Sequence, residues 1–337
     1  MRILYGIQGT GNGHLSRARE IIRHLTRFVD VDVLISGTRH EVDLGLDVQT
    51  HYAHGLGFES GTRGGIAYWN TLKHLRLLRL LQDLRHLPLQ HYDAVVSDFE
   101  PISAWSAYLQ KKPCIAVSHQ AAFASPHVPR PRRRSLLAEW VMRWYAPAAQ
   151  AIGFHFQPYD DFIETPIIRQ AIREASLGNN GHYTVYLPTF DEAYLIKRLA
   201  CFPHVRWEIF SKRHKNTSPY TQGNVTVSPV NADAFVHSLA GCEGLLTAAG
   251  FETSSEALFC GKKLLVIPMQ GQYEQQCNAE ALRRMGVAVS PAFEERFLRS
   301  WIEQSSPLRC EFRHNVPDVV EALLHRCHTR HNHAGYA

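Results

Sequence analysis

Met1-Arg2-Ile3-Leu4-Tyr5-Gly6-Ile7-Gln8-Gly9-Thr10-Gly11-Asn12-Gly13-His14-Leu15 opens the chain with an apolar run, a glycine-rich turn and the start of a segment of helical period. The helical pattern covers Leu15–Leu25, and a second apolar run, Val31–Ile35, follows it. Strand, helix and strand in that order predict a parallel sheet, because parallel strands need a crossover and the crossover helix covers a sheet face. Working outward, further strands fit Val48–Ala53, Ala94–Ser97, Cys114–Ser118 and Ala151–Phe156, with helices at Trp69–Leu87 and Ile102–Leu109. A polar stretch from Asp160-Asp161 to Gly178-Asn179-Asn180-Gly181 interrupts the pattern, and a second array begins. Its strands read Tyr183–Leu187, Trp207–Phe210, Val225–Val227, Gly244–Thr247 and Leu264–Ile267. Its helices read Glu192–Leu199, Ala232–Leu239, Thr253–Phe259 and Glu274–Met285.

The expectation is an α/β protein of two doubly wound Rossmann-like domains facing a cleft. Residues 1–160 form the first, 161–182 a linker with a helix, 183–312 the second, and 313–337 a C-terminal helix and polar tail. Ligands of such sheets bind at the carboxyl ends of the strands, so the site is expected where the two rims meet. The Gly- and His-rich segment Tyr52–Gly65 reads as a long loop on that edge.

Composition narrows the class. At 337 residues, two cores are the default. With 45% hydrophobic and 20% charged residues and no apolar run of membrane length, the chain reads as globular. Met1 leads directly into a strand and not into a secretory leader, which points to the cytoplasm. The seven cysteines form no C-x-x-C pair and read as reduced core thiols. The tail His325-Arg326-Cys327-His328 with His331 and His333 has no supporting shell, and no metal is assigned to it. The net charge of +5 concentrates in Arg130, Arg132, Arg133 and Arg134. No RNA-binding signature surrounds them, so nucleic acid is not expected. The apolar Leu136, Leu137, Trp140, Val141 and Trp144 follow, which suits an anionic membrane surface. A solvated basic loop before a core helix is the equal alternative.

The first glycine loop is not a dinucleotide fingerprint. His14 stands where that motif needs glycine, and the second strand ends Ile35-Ser36-Gly37 without the acidic side chain that would hold a ribose. Gly11, Asn12 and Gly13 bring backbone N–H groups to the rim, and His14 stands where a general base would be wanted, a capping or packing role being the alternative. Asp98 emerges at the end of the strand His91–Val96 on the same rim, placed to fix a histidine tautomer or to cap the helix near Pro101. Glu100 and His119 are further acceptor-side candidates on this rim, hydrogen bonding to its own loop being the alternative for His119.

The most specific stretch is Thr247-Ala248-Ala249-Gly250-Phe251-Glu252-Thr253-Ser254-Ser255-Glu256-Ala257-Leu258, with Gly261-Lys262-Lys263, Pro268 and Gln272-Tyr273-Glu274-Gln275-Gln276-Cys277-Asn278. A glycine turn and the free N–H groups of a helix beginning near Thr253 make a cradle for a diphosphate. Glu256 suits ribose hydroxyls, and Glu274 and Gln275 suit sugar hydroxyls. Taken singly, these residues are also those of two ordinary helices.

Together they resemble the donor-binding region of UDP-glycosyltransferases and of the N-acetylglucosaminyltransferases that make lipid-linked peptidoglycan precursor. The matching positions are Gly250, Thr253, Glu256, Gly261, Glu274, Gln275 and Asn278, and Gly11-Asn12-Gly13-His14 is similar to the Gly-His loop of these enzymes. Lys263 replaces a usual Pro. Ala248 stands where many plant and animal members carry a phosphate-contacting histidine, which favours a bacterial-type, lipid- or polysaccharide-directed enzyme. The resemblance implies the GT-B fold and inverting transfer from a nucleoside-diphosphate sugar, a UDP-sugar first, to a hydroxyl acceptor. It implies no cofactor or metal, His14 as base oriented by Asp98, and a donor site of Ala249, Gly250, Phe251, Glu252, Thr253, Glu256, Gln272, Glu274, Gln275 and Asn278. The rival readings are an enzyme of the same fold that epimerises UDP-N-acetylglucosamine and a non-catalytic nucleotide-sugar-binding subunit.

Overall fold

The computed structural model describes residues 1–37, 44–53, 84, 87–214 and 217–328. The first sheet contains β1 (Arg2–Gln8), β2 (Asp30–Ser36), β3 (Thr50–Ala53), β4 (Ala94–Asp98), β5 (Cys114–Ser118), β6 (Gln150–Phe154) and β7 (Ile163–Glu164), in the order β3-β2-β1-β4-β5-β6-β7. Every pair is parallel. Residues 3–8 of β1 and all of β4 are buried, as helices on both faces require of a central parallel strand. The strand order reverses direction between β1 and β4, and such a switch point opens a crevice at the strand ends.

Helix α1 (Asn12–Leu25) buries Ala18, Ile21, Ile22 and Leu25 against this sheet, and Arg23 and His24 complement the dipole of its last turn. Helix α2 (Pro101–Leu109) follows β4, and α3 (Leu136–Trp144) precedes β6. A Cβ at Gly6 would collide with Ser103, so glycine is what lets α2 lie close on β1. Strand β7 continues the first sheet four positions past the boundary expected at 160. Most of the loop read at Tyr52–Gly65 and of the helix read at Trp69–Leu87 lies outside the described residues.

A short helix, α4 (Gln170–Arg173), leads to the second sheet of β8 (His182–Tyr186), β9 (Arg206–Ser211), β10 (Tyr220–Gln222), β11 (Val225–Pro229), β12 (Gly244–Thr247), β13 (Lys263–Val266) and β14 (Ala288–Val289). Its order is β10-β11-β9-β8-β12-β13-β14, parallel except for the edge strand β10. The switch point here lies between β8 and β12. The helices are α5 (Glu192–Leu199), α6 (Ala232–Gly241), α7 (Phe251–Phe259), α8 (Tyr273–Arg284) and α9 (Glu295–Gln304).

The chain then returns. Helix α10 (Val316–His328) packs on α1 and β6 of the first domain. Its Val316, Val319, Val320 and Leu323 are buried, each worth about 1.5–3 kcal/mol of transfer free energy. The two crossings are tied together where Asn315 Nδ2 donates to Thr165 O at 2.9 Å and Arg173 Nη1 to Phe312 O at 3.0 Å. No described helix is long and apolar enough to cross a membrane. The seven cysteines form no disulfide.

Candidate active site

Strand β1 delivers the glycine loop to the first switch point, and the first turn of α1 carries His14 over the end of β4. His14 Nδ1 lies 2.7 Å from Asp98 Oδ1. Burial alone would raise the Asp98 carboxyl, but Arg17 and His14 hold it below its ordinary value. An ionised carboxylate only accepts, so the Nδ1 proton belongs to the imidazole and the Nε2 lone pair faces away from Asp98. The next residue, Phe99, has φ of +54°, a left-handed conformation costing an L-residue roughly 1–2 kcal/mol. This turn stacks the Phe99 ring parallel to His14, at 6.4 Å between centroids.

Arg17 was not singled out in the sequence, although its spacing three residues after His14 places both on one helix face. Its Nε and Nη2 donate to Asp98 Oδ2 and Oδ1 at 3.1 and 2.6 Å, and Nη1 donates to Glu252.

Two acceptor-side candidates are engaged within the protein. Glu100 is fully buried and caps α2: Oε1 accepts from Ile102 N at 2.7 Å and from the Ser36 hydroxyl at 2.5 Å, and Oε2 from Ser103 N at 2.6 Å. It takes the capping role considered for Asp98 and is not free to meet an acceptor. His119 is 1% exposed. It lies at the domain contact, with Nδ1 2.8 Å from Phe154 O and Nε2 2.8 Å from Asn278 Oδ1, its ring stacked on Phe251 at 4.0 Å. Burial lowers its basicity.

On the facing rim, β12 ends at Thr247 and α7 begins at Phe251, two residues before the expected start, with Gly250 as N-cap. No side chain caps this first turn, which carries Glu252 and Thr253, and the space beside Gly250 is open. Ser254 Oγ, buried in the same turn, has no hydrogen-bond partner. Glu256 is 4% exposed and forms a bidentate pair with Arg169, at 2.5 and 2.8 Å, so Arg169 now holds the carboxylate expected to face ribose. In α8, Gln275 Oε1 accepts from Met269 N at 2.9 Å and shapes the preceding turn. Asn278 Nδ2 donates to Ala249 O at 3.0 Å, which fixes the turn before Gly250. Gln272 is the N-cap residue of α8, and its Oε1 is buried without a partner.

The rims touch. A Cβ at Gly13 would collide with the Glu252 carboxylate, so glycine there permits a close approach of the rims. Gln120 Nε2 donates to Glu274 Oε2 at 2.9 Å, and the Tyr273 hydroxyl donates to Glu139 of α3 at 2.6 Å. These contacts, with Arg17 on Glu252 and His119 on Asn278, join the rim that carries Gly13 and the His14–Asp98 pair to the rim that carries Glu252, Glu274 and Asn278. Among the described residues, no cluster of three His, Cys, Asp or Glu suited to a metal occurs.

The basic block divides. Arg130 turns inward, donating to Val128 O at 2.7 Å and Phe123 O at 2.8 Å with its guanidinium over the Phe123 ring. Arg134 forks onto Glu139, while Arg132 and Arg133 are exposed. Helix α3 is not a core helix: none of its residues is buried, and Leu136, Leu137 and Trp140 are 77%, 72% and 61% exposed.

Paired doubly wound domains whose switch points meet across one cleft are the architecture of the GT-B glycosyltransferases. The model of glycosyl transferase family 1 matches residues 1–303, and the chain belongs to that family. The glycotransferase of kitacinnamycin superposes with a TM-score of 0.62 at 16% identity, covering 99% of this chain and 96% of that one. A UDP-glucosyltransferase from Polygonum tinctorium gives 0.62 at 12%, covering 97% and 92%. MurG of Acinetobacter baumannii gives 0.55 at 14%, covering 96% and 99%. No curated protein is matched by sequence.

Proposed function

We propose that the chain is an inverting glycosyltransferase that moves a sugar from a nucleoside-diphosphate sugar, first of all a UDP-sugar, to a hydroxyl acceptor without a bound metal. The observation that carries this reading is the placement of the His14–Asp98 pair at one switch point directly across from the uncapped N-terminus of α7 at the other. The α7 amides and the positive end of its dipole suit the leaving diphosphate. His14 Nε2 takes the acceptor proton as the oxygen attacks the anomeric carbon, and Asp98 stabilises the imidazolium. One structural relative, VinC, was solved in complex with dTDP, in keeping with a nucleotide on such a fold.

The acceptor is a lipid-linked or cell-envelope glycan presented at the inner face of the plasma membrane. Support comes from Leu136, Leu137 and Trp140 standing out beside Arg132 and Arg133, on a helix joined to α8 through Glu139 and Tyr273. In this reading the enzyme is cytoplasmic and docks peripherally.

Thermal denaturation with and without nucleotides tests the donor assignment. UDP at a hundred times its dissociation constant adds about 2.7 kcal/mol to stability. Glu256→Gln, which keeps the side-chain shape beside Arg169 but not the charge or the second acceptor oxygen, should reduce that gain if Glu256 turns to the ribose. Absence of any stabilisation by UDP, dTDP or their sugars would reject nucleotide-sugar use.

A further inference from the structure

His14 and Asp98 leave the Arg17 guanidinium without a role in the transfer. Its side chain is 1% exposed, and a buried guanidinium is costly unless its charge and donors are matched. Here they are matched from both domains: Asp98 takes Nε and Nη2, and Glu252 takes Nη1 from across the cleft. Arg17 Nη2 also lies 3.2 Å from His14 Nδ1. The charged and titratable groups around the imidazole are therefore Asp98 from β4, Arg17 from α1, Glu252 from α7, and the Tyr5 hydroxyl of β1, which lies near Asp98 and Arg17.

We propose that Arg17 is a positioning residue that clamps the Asp98 carboxylate in the orientation in which Oδ1 accepts the hydrogen bond from His14 Nδ1–H, and that Glu252 makes this clamp depend on closure of the cleft. The inference rests on His14 acting as the base. The two-point fork fixes the carboxylate plane, which a single contact from His14 leaves free to rotate. The same cation opposes protonation of His14, whereas Asp98 favours it. When the domains part, Glu252 leaves Nη1, and the buried charge loses one of its two carboxylates. The active geometry of the first domain is thereby tied to the presence of the second.

The test combines NMR titration of the His14 imidazole with the pH profile of kcat/KM in wild type, Arg17→Lys and Arg17→Met. Arg17→Met should raise the His14 titration midpoint and move the acidic limb of the profile to higher pH, with kcat reduced by up to about 10²-fold and UDP affinity retained. Arg17→Lys keeps the charge without the fork, so its midpoint should match wild type while kcat stays reduced; it also serves if Arg17→Met does not fold. Wild-type kcat in Arg17→Lys, or an unmoved midpoint in Arg17→Met, overturns the clamp. A loss confined to donor KM makes Arg17 a donor ligand and overturns it equally. A midpoint that rises while the acidic limb stays in place upholds the clamp and removes His14 from the role of base.

Discussion

At the scale of residues, the structure turns the histidine expected at the first glycine loop into a three-part unit of His14, Asp98 and Arg17, with Phe99 stacked on the imidazole. With His14 as the proposed base and the donor proposed to bind on the facing rim, His14→Ala should lower turnover by about 10²–10⁴-fold with little change in donor affinity. Asp98→Asn should act through the same step, so the double variant should lose far less than the product of the single losses. Multiplicative losses in kcat would show that Asp98 serves the fold and not the base. A helix cap is already excluded for it, since Glu100 fills that position. The Arg169–Glu256 pair changes how a substitution at Glu256 is read. Removing the carboxylate outright strands a half-buried guanidinium, a fault costing about 3–5 kcal/mol in buried pairs, so weakened nucleotide binding in Glu256→Ala mixes that cost with any lost ribose contact.

At the scale of elements, periodicity made most of the fold legible: the apolar runs around Ile3, Val31 and Val95, and those around Val185, Ile209 and Leu246, are core strands because both their faces are covered. The short edge strands β7, β10 and β14 were not legible, since two or three residues carry no period. Of the site, His14 and Asp98 could be found because strand ends on this fold are where ligands bind. Arg169 could not, since its partner lies 87 positions away, and Arg17 offered only its three-residue spacing from His14, which gives no sign of the facing Glu252. Helix α3 was ambiguous for the same reason: an apolar face reads alike whether it meets a core or solvent, and only the tertiary structure shows Trp140 exposed. If that face docks on lipid, Leu136, Leu137 and Trp140 insert while Arg132 and Arg133 add about 1 kcal/mol each on an anionic surface. Replacing both arginines with Gln should reduce binding to anionic vesicles at low salt, and Trp140→Ser should reduce it at any salt. Wild-type protein that leaves such vesicles in the supernatant would deny the membrane its part.

At the scale of the molecule, the two domains meet through buried histidines. Burial holds both His119 and His155 below the ordinary histidine value, and the neighbouring His119 and Arg130 push His155 further down. Unfolding lets these groups take up protons near pH 6.5 while the folded protein keeps them neutral. Stability should therefore be level above about pH 7 and fall as the pH drops below 6.5, by up to about 1.4 kcal/mol per pH unit for each histidine. Asp98, held below its ordinary value, adds an acid loss only below about pH 4. Urea midpoints at pH 7.5, 6.0 and 5.0 measure this, and a midpoint unchanged across that range would show that neither histidine contributes. The return of α10 to α1 has a consequence for biosynthesis. Because the second domain is threaded between β7 and α10, the growing chain can complete that inner unit while the face of α1 that meets α10 still awaits its cover. The domain begun first at the ribosome is thus the one sealed last, and its uncovered α1 stripe is where a chaperone would find its grip.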